Sequence, residues 1–220
     1  MSDNKQLVLP ERTVERLSEY RRMLFRQMNN YEIKKTHIYS HELASLHGIT
    51  AVQVRRDLML IGFTSDIKKG YNIKELINCI AEIIDTPTIT NIAVVGMGKM
   101  AKAITSYFNG KRNKLKIIAS FDSDPEKIGA KIAGIHCYDI SSLVEIIKKE
   151  KIKMLVLTLP SSQVDDIKSD IIESGIKGIL NFTSSTINLD KEANIYIQDF
   201  DIITLLEKIA YFSKENNENL

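Results

Sequence analysis

The chain has 220 residues, of which 44% are hydrophobic and 26% are charged, and its formal net charge is +2. This composition is typical of a globular chain with one or two domains. No apolar run approaches the roughly 20 residues of a membrane span, and the N-terminus lacks the apolar region of a signal peptide, so we expect a cytoplasmic protein and no membrane partner. Cys79 and Cys137 have no cysteine or histidine at metal-ligand spacing, so no metal site is predicted and both thiols are expected to be buried.

Two regions differ in their pattern. Residues 1–85 indicate helices with one short hairpin and carry 13 basic against 11 acidic side chains, which accounts for all of the net positive charge. Residues 90–182 alternate between strand and helix patterns. We therefore predict a DNA-binding domain over 1–85, a nucleotide-binding domain over 86–198, and a C-terminal helix with a polar tail over 199–220. The joint is expected at residues 85–88.

Residues 42–50 have the form of a helix-turn-helix corner. Ala44 permits close contact between helices, and Gly48 makes the turn. Thr50 and Gln53 have the spacing of a capping box, while Ile49 and Val54 have that of a hydrophobic staple. A helix is therefore predicted to begin just after Thr50.

The predicted helix has two different faces. Its inner stripe comprises Ala51, Val54, Leu58 and Ile61, and its outer stripe comprises Val52, Arg55, Arg56 and Met59. Arginine can donate two hydrogen bonds to guanine in the major groove, and Gln53 could contact adenine or a phosphate. A basic surface of this kind can also be an ordinary solvated face.

Residues 62–73 are predicted to form a hairpin that follows this helix. Lys68 and Lys69 would lie at its tip, against a DNA backbone or in a minor groove. The corner, the capped helix and the basic hairpin together predict a winged-helix domain that binds double-stranded DNA.

The second region predicts a parallel sheet with helices on both faces. Strands are expected near 91–95, 115–121, 134–138, 153–158 and 178–181. Helices are expected near 99–109, 125–130, 140–150 and 162–174. The fold class is therefore α/β, with a Rossmann-type domain after the winged helix.

A dinucleotide fingerprint follows the first of these strands. Gly96 permits a tight turn, Gly98 lets the backbone approach a pyrophosphate, and Ala101 provides close packing of helix on strand. Asp122, at the end of the next strand, can accept hydrogen bonds from both ribose hydroxyls and would repel the extra phosphate of NADP, which favours NAD(H). Alternatively, Asp122 caps the following segment, as we expect for Asp124 before Pro125.

The remaining predicted cofactor contacts lie in the same loop or at other strand ends. Met97, Lys99 and Met100 belong to the phosphate loop. Pro160 and Ser161 follow one strand, and Asn181 and Phe182 end another. Pro160 and Phe182 could form walls of a nicotinamide pocket, or they could be turn and core residues.

The C-terminal helix has an apolar stripe that consists of Ile202, Leu205, Leu206, Ile209 and Phe212. A second subunit is the simplest cover for this stripe, and folding back onto the chain's own sheet is the alternative. A dimer would also match two recognition helices to a palindrome.

Over nearly its whole length, the chain resembles the Rex family of redox-sensing transcriptional repressors. The matching residues are Leu9-Pro10, Arg16-Leu17, Ser40-His41-Glu42-Leu43-Ala44, Gln53-Val54-Arg55-Arg56-Asp57-Leu58, Gly70-Tyr71, the loop from Gly96, Phe121-Asp122 and Gly178-Ile179-Leu180-Asn181-Phe182.

The resemblance implies a homodimer that holds an operator when NAD⁺ predominates and releases it when NADH rises. It also implies that the C-terminal helix is exchanged between subunits. Ser40 and Tyr71 join the expected DNA-binding residues. Arg16 and Asp199 would form alternating contacts across the dimer as an interdomain switch. Tyr107 resembles a tyrosine that senses the nicotinamide, although a core aromatic is an equal alternative.

Three features depart from the family pattern. Lys99 replaces the asparagine that is usual in the phosphate loop of the family, and the hairpin lacks most of the usual glycines. The family usually has a proline at the second position of the pair that is Thr183-Ser184 in this chain. These departures leave open a nucleotide-bound DNA-binding protein without a redox response. An NAD-dependent dehydrogenase is the other alternative, but no segment remains for a substrate domain, and no general base is evident, so an enzyme is not expected.

Overall fold

A computed structural model describes residues 9–29, 35–64, 69–108, 111, 113–189 and 193–214. The chain divides into two compact units, residues 1–87 and 88–220. This division lies within the expected joint at 85–88. The C-terminal segment from residue 199, which the sequence analysis treated separately, belongs to the second unit.

The described residues of the first unit form four helices and a small antiparallel sheet. The helices are α1 (Glu11–Met28), α2 (Ser40–His47), α3 (Ala51–Leu60) and α4 (Ile73–Ile84), and the strands are β1 (His37–Ile38) and β2 (Tyr71–Asn72). All four helices contribute to one apolar core, whose fully buried members include Leu17, Tyr20, Leu24, Leu43, Val54, Leu58, Leu76 and Ile80.

The start of α3 follows the prediction only in part. The Thr50 side chain accepts a hydrogen bond from the Gln53 N–H at 3.2 Å, and Gly48 ends α2 with a φ of 70°. Ile49 and Val54 contact the same core, which agrees with the predicted staple. The reciprocal half of the capping box was wrong: among the described residues the Gln53 carbonyl oxygen accepts no hydrogen bond from the Thr50 N–H, and the Gln53 Nε2 donates to Asp57 at 2.9 Å.

The predicted hairpin over residues 62–73 includes residues 65–68, which lie outside the described residues. Tyr71 and Asn72 form a strand, but its partner is His37–Ile38, before α2. Gly70 packs tightly on that strand, since a Cβ at this position would lie 2.9 Å from the Ile38 carbonyl oxygen. Lys69 is exposed, whereas Lys68 lies outside the described residues.

The second unit contains a seven-stranded sheet. Its strands are β3 (Thr90–Val95), β4 (Leu115–Asp122), β5 (Lys131–Ile132), β6 (Ile135–Asp139), β7 (Ile152–Leu157), β8 (Gly178–Asn181) and β9 (Tyr196–Asp199). The spatial order is β5-β6-β4-β3-β7-β8-β9, and only β5 pairs antiparallel. Counted along the chain, the six parallel strands have the order 3-2-1-4-5-6 of a Rossmann fold, which confirms the predicted fold class.

Helices cover both faces of this sheet, as predicted. These helices are α5 (Lys99–Phe108), α6 (Leu143–Lys149) and α7 (Lys168–Ser174). A further helix, α8 (Ile202–Phe212), is exposed along its whole length. Successive residues of β3 point to opposite faces: Ala93 and Val95 pack in the core with residues of α6 and α7, whereas Ile92 and Val94 pack in the core with Ala101 of α5.

Two predictions for this unit need correction. Residues 125–129 form turns and no helix, because Gly129 adopts a φ of 81° and the chain then enters the β5–β6 hairpin. Asp124 nevertheless caps this segment, since its carboxylate accepts the Glu126 N–H at 3.0 Å. The edge strand β9 was not predicted, because its largely exposed residues lack an apolar pattern.

Candidate functional site

A cavity of about 770 Å³ opens at the carboxyl ends of β3, β4 and β7. This is where the order of a Rossmann sheet reverses and where such folds bind ligands, and the volume suits a small molecule. The lining residues are Val95, Gly96, Gly98, Met100, Phe121, Asp122, Ser123, Asp124, Lys127, Ile140, Thr158, Leu159, Pro160, Gln163, Asp166 and Ile167.

The glycines of the loop between β3 and α5 have two different roles. Gly96 has a φ of 87°, and a Cβ there would lie 2.9 Å from the Leu159 backbone nitrogen, so this position requires glycine. A Cβ at Gly98 would meet no atom within 4 Å. Because Gly98 borders the open cavity ahead of the first turn of α5, where backbone N–H groups lack intrahelical acceptors, the loop fits a phosphate group.

Asp122 accepts three hydrogen bonds from its own unit. Oδ2 accepts the Met97 N–H at 2.7 Å and the Lys127 ammonium at 3.1 Å, and Oδ1 accepts the Asp124 N–H at 2.9 Å. A carboxylate has about four acceptor positions. Asp122 can therefore accept one further hydrogen bond with good geometry. The sequence predicted two hydrogen bonds, one from each ribose hydroxyl.

The same contacts keep Asp122 ionised. Burial raises the pKa of this carboxyl, but the hydrogen bonds from the Asp124 and Met97 N–H groups and from Lys127 outweigh burial and lower the pKa below its ordinary value. Lys127 was missed by the sequence analysis. The signal for it was its position in the turn five residues after Asp122.

Five of the twelve predicted cofactor residues line the cavity. These are Gly96, Gly98, Met100, Asp122 and Pro160. The side chains of Met97 and Ala101 are fully buried in the core, so Met97 contributes its backbone and Ala101 its small size. Lys99 and Ser161 are exposed beside the cavity-lining segments.

Tyr107, Asn181 and Phe182 are not among the cavity-lining residues. Tyr107 is 70% exposed, so it is not a core aromatic, and the Lys111 ammonium lies 3.3 Å from the centre of its ring. The buried Asn181 amide donates to Asp199 Oδ1 at 2.7 Å and to the Ser185 carbonyl oxygen at 2.9 Å.

Asn181 also accepts hydrogen bonds from Thr183, at 3.0 Å from its N–H and at 2.7 Å from its hydroxyl. Phe182 packs against Phe200, with ring centres 4.9 Å apart. Asn181 therefore holds the loop after β8 and the end of β9, including Asp199.

Thr158 was also missed. Its hydroxyl donates to the Gly96 carbonyl oxygen at 2.7 Å, and its N–H donates to the Val95 carbonyl oxygen at 2.9 Å. These bonds tie the end of β7 to the glycine loop. The available signal was a hydroxyl residue directly after a buried parallel strand.

In the first unit, α3 exposes the predicted outer stripe. Arg55 and Arg56 are exposed, together with Val52 and Met59, whereas Val54, Leu58 and Ile61 are buried. Arg55 also donates to the Ser40 hydroxyl at 3.1 Å, which places the start of α2 beside the outer stripe of α3. Thr50 is exposed at the start of α3, and the half-buried Tyr71 ring lies 6.0 Å from that of Phe63.

A buried polar cluster joins α3 to α1. The carboxylate of Asp57, which is fully buried, accepts hydrogen bonds from Arg16 and Tyr20 of α1 and from Gln53 of α3. Burial raises the pKa of Asp57, but the hydrogen bonds from Arg16, Tyr20 and Gln53 outweigh it and lower the pKa below its ordinary value. We call these four residues the Asp57 cluster.

The two residues of the expected interdomain switch therefore each have a partner within their own unit. Arg16 pairs with Asp57, and Asp199 accepts a hydrogen bond from Asn181. Among the described residues there is no group of three or more histidine, cysteine or acidic side chains suited to a metal ion. Of the helices that the structure describes, none has the length and hydrophobicity needed to cross a bilayer.

Two family models match the chain. The model described as a putative DNA-binding protein N-terminus matches residues 8–58, and the CoA binding domain model matches residues 87–185. The boundary between the two matches agrees with the division of the structure into two units.

Relatives cover almost the entire chain. The redox-sensing transcriptional repressors Rex of Streptococcus pneumoniae strains Hungary19A-6 and CGSP14 are each 32% identical over 216 residues, which are 97% of this chain and 99% of theirs.

The solved structures of RSP, a Rex-family repressor, are 25% identical to this chain and cover 93% of it. RSP in complex with NADH matches with a TM-score of 0.80 over 94% of its own chain. RSP in complex with NAD⁺ and operator DNA matches with a TM-score of 0.84 over 92%. With both units matched in one continuous alignment, the chain belongs to the Rex family of redox-sensing transcriptional repressors.

Proposed function

We propose that this protein is a cytoplasmic, homodimeric repressor that holds a palindromic DNA operator when NAD⁺ is bound and releases it when NADH takes its place. One observation supports this proposal: a single chain of the Rex family combines two features. It has a helix with exposed arginines, and it has a Rossmann cavity bordered by a glycine loop suited to phosphate. RSP, which matches both units, has been seen with NADH and with NAD⁺ plus operator DNA.

The cavity fits NAD(H) as its cofactor. The open space at Gly98 and the free N–H groups at the start of α5 suit a pyrophosphate, and Lys99 adds positive charge there. Asp122 keeps one acceptor position for an adenosine ribose hydroxyl. When bound, the nicotinamide supplies the redox state to be sensed, while the residues of this chain bind and orient the nucleotide.

The first unit supplies the DNA contacts. Arg55 and Arg56 would contact base edges and phosphates, and Ser40 and Thr50 would donate to phosphates near the helix start. Lys69 and Tyr71 would contact the backbone beside α3, and Lys68 is assigned the same role from the sequence alone.

The exposed apolar surface of α8 supports the proposed homodimer. Every residue of this helix is exposed, and the apolar side chains Leu206, Ile209 and Phe212 are 58%, 63% and 75% exposed. An apolar helix with no cover of its own favours burial against a second copy of the chain. Since a palindrome presents two equivalent half-sites, a symmetric dimer is also the assembly that would place two α3 helices on it.

For the interdomain switch, we propose that Arg16 and Asp199 exchange their present partners for one another across the dimer as the nucleotide changes. The exposed Tyr107 would contact the nicotinamide in the same assembly. Both roles need a rearrangement of side chains that now contact Asp57, Asn181 and Lys111.

The test is fluorescence anisotropy of a labelled palindromic operator, titrated with protein without nucleotide, with NAD⁺ and with NADH. Salt must be constant, because phosphate contacts make affinity depend strongly on ionic strength. Binding that NADH alone weakens is the expected result. Binding that is indifferent to both nucleotides would indicate a DNA-binding protein without a redox response, and no specific binding would contradict the repressor.

We also propose that the protein is a regulator and no enzyme. A dehydrogenase on the same fold would oxidise or reduce the nicotinamide in the presence of a second substrate. Incubating the protein with NADH and a panel of carbonyl compounds, with absorbance at 340 nm as the readout, should give no turnover. Sustained oxidation of NADH would favour the dehydrogenase.

A further inference from the structure

The four acceptor positions of the Asp57 carboxylate are all occupied. Oδ2 accepts from the Arg16 Nε at 2.6 Å and from the Tyr20 hydroxyl at 2.8 Å. Oδ1 accepts from the Arg16 Nη2 at 2.7 Å and from the Gln53 Nε2 at 2.9 Å. Three of these donor groups, from Arg16 and Tyr20, belong to α1, and the fourth belongs to Gln53 in the first turn of α3, so the carboxylate joins α1 to the start of α3.

This contact determines which way the Gln53 amide faces. A free glutamine amide can rotate by half a turn, which exchanges its carbonyl oxygen and its NH₂ group. An ionised carboxylate only accepts hydrogen bonds, so Gln53 must turn its nitrogen toward Asp57. The helical spacing of four residues and the anchoring of Asp57 by α1 keep this orientation.

The remaining edge of the half-buried amide then has a defined character. One N–H is donated to Asp57, and the second N–H and the carbonyl oxygen remain; among the described residues, this oxygen accepts no hydrogen bond. A donor beside an acceptor is the complement of adenine in the major groove, which offers N7 as acceptor and its N6 amino group as donor. A phosphate offers only acceptors and would face the carbonyl oxygen unfavourably.

We propose that Asp57 is a positioning residue for DNA recognition, which locks the Gln53 amide so that the first turn of α3 recognises an adenine. Asp57 itself is buried and touches no base. This inference rests on the proposed DNA binding and goes beyond it, because it assigns a base to one side chain and an orienting role to a second.

The experiment begins by selecting DNA from a random pool with the full-length protein in the presence of NAD⁺. Each A·T pair of the selected site is then replaced by G·C. In the wild type, the replacement opposite Gln53 should weaken binding by roughly 5- to 140-fold, as expected for one bidentate contact. The variant Gln53→Ala should bind both sites equally.

The variant Asp57→Asn tests the positioning role. Its NH₂ group would compete with that of Gln53, so the discrimination at this A·T pair, measured as the ratio of the affinities for the A·T and G·C sites, should fall to within about twofold. Tyr20→Phe is the matched control, because it removes one hydrogen bond of Asp57 without touching Gln53. It should keep the discrimination even though the cluster is weakened.

If Asp57→Asn does not fold, the wild type still provides a test. The side-chain amide of Gln53, assigned in ¹⁵N–¹H spectra by comparison with Gln53→Ala, should be as rigid as the backbone of α3. A mobile, averaged Gln53 amide would overturn the proposal.

The outcomes separate the two hypotheses. Discrimination that survives in Asp57→Asn or in Gln53→Ala would overturn this inference and leave the repressor intact. Failure of the wild type to select any sequence would refute the proposed function and this inference together.

Discussion

Arg16 of α1 and Asp57 of α3 form a two-bond ion pair, with Nε 2.6 Å from Oδ2 and Nη2 2.7 Å from Oδ1. The Asp57 side chain is fully buried, and that of Arg16 is 19% exposed. Arginine donates to both carboxylate oxygens through its planar fork, which fixes orientation as well as distance. The pair therefore holds α3 in one orientation on α1.

We expect Asp57→Asn to lower the free energy of unfolding by about 3–5 kcal/mol at pH 7, because it breaks a buried pair and leaves Arg16 without its counter-charge. Urea denaturation followed by circular dichroism measures this. Glu173→Gln is the control, since the Glu173–Lys148 pair is exposed and should contribute little. An equal loss in both variants would contradict a special role for the buried pair.

The same substitution should show a pH dependence of known sign. The pKa of Asp57 is lower in the folded protein than its ordinary value, so folding favours the ionised form. The stabilisation is complete above the ordinary pKa of about 3.9 and is lost as the pH falls toward the lower folded value. The difference in stability between wild type and Asp57→Asn should therefore shrink below about pH 4; a constant difference would contradict this.

Gly96→Ala and Gly98→Ala should affect different properties, the first lowering stability and the second weakening NADH binding. At Gly96 the positive φ and the nearby Leu159 backbone should cost about 1–3 kcal/mol of stability. At Gly98 a methyl group meets nothing within 4 Å, so stability should be unchanged, but NADH should bind roughly tenfold or more weakly, because the methyl enters the pyrophosphate space. Thermal unfolding and calorimetric titration measure the two effects, and unaltered NADH binding by Gly98→Ala would place the pyrophosphate elsewhere.

Lys127 should moderate the preference for NADH over NADPH. Its ammonium contacts Asp122, the carboxylate expected to repel a 2′-phosphate, and partly neutralises it. Lys127→Met removes this neutralising charge, so Asp122 should repel the 2′-phosphate more strongly. We expect the NADPH dissociation constant, divided by that of NADH, to rise at least about fivefold, because two unit charges about 4 Å apart in water interact by about 1 kcal/mol. Lys148→Met is the control at an exposed pair remote in sequence from the loop. A ratio equal to that of the wild type would show that Lys127 does not face the ribose.

Ile209→Glu should convert the protein to a monomer. Ile209 is 63% exposed in the single chain, so the substitution should not destabilise the chain itself, but it would place a charge in the proposed dimer interface. Sedimentation velocity gives the oligomeric state, and operator affinity should fall at least roughly 100-fold as the two half-sites become uncoupled. The neighbouring Lys208→Glu should remain dimeric; a dimeric Ile209→Glu would exclude α8 from the interface.

Asp199→Ala should weaken the link between nucleotide and DNA. We expect the ratio of operator affinities in NAD⁺ and NADH to approach 1, while the affinity for either nucleotide alone stays within about twofold of the wild type. Arg16→Ala should do the same, but it also leaves Asp57 unpaired, so Asp199→Ala is the cleaner variant. Unchanged NADH-dependent release in both variants would eliminate the proposed switch.

Short-range signals were sufficient for a large part of this fold. Thr50 caps α3 as predicted, because a cap depends on residues three apart. The buried strands β3 and β7 lie within two residues of their expected bounds, since a continuous apolar run records burial on both faces. Gly96 has the positive φ that its position in the loop requires.

Contacts between distant segments were not predictable in the same way. The capping box predicted that the Gln53 carbonyl oxygen would accept from the Thr50 N–H, but among the described residues no such bond forms, and Gln53 instead donates to the Asp57 carboxylate that Arg16 of α1 also contacts. The strand β2 pairs with β1, more than thirty residues away. Lys127 meets Asp122 only because the segment predicted as a helix is a turn.

By itself, the amino-acid sequence determined the order of the two units, the start of α3 and the position of the glycine loop after β3, because each depends on spacing within a few residues or on apolar periodicity. Tertiary structure alone decided which polar groups meet: Arg16 with Asp57, Lys127 with Asp122, and Asn181 with Asp199. A buried carboxylate or amide must find partners, and which partners are within 3 Å depends on how separate helices and strands pack together.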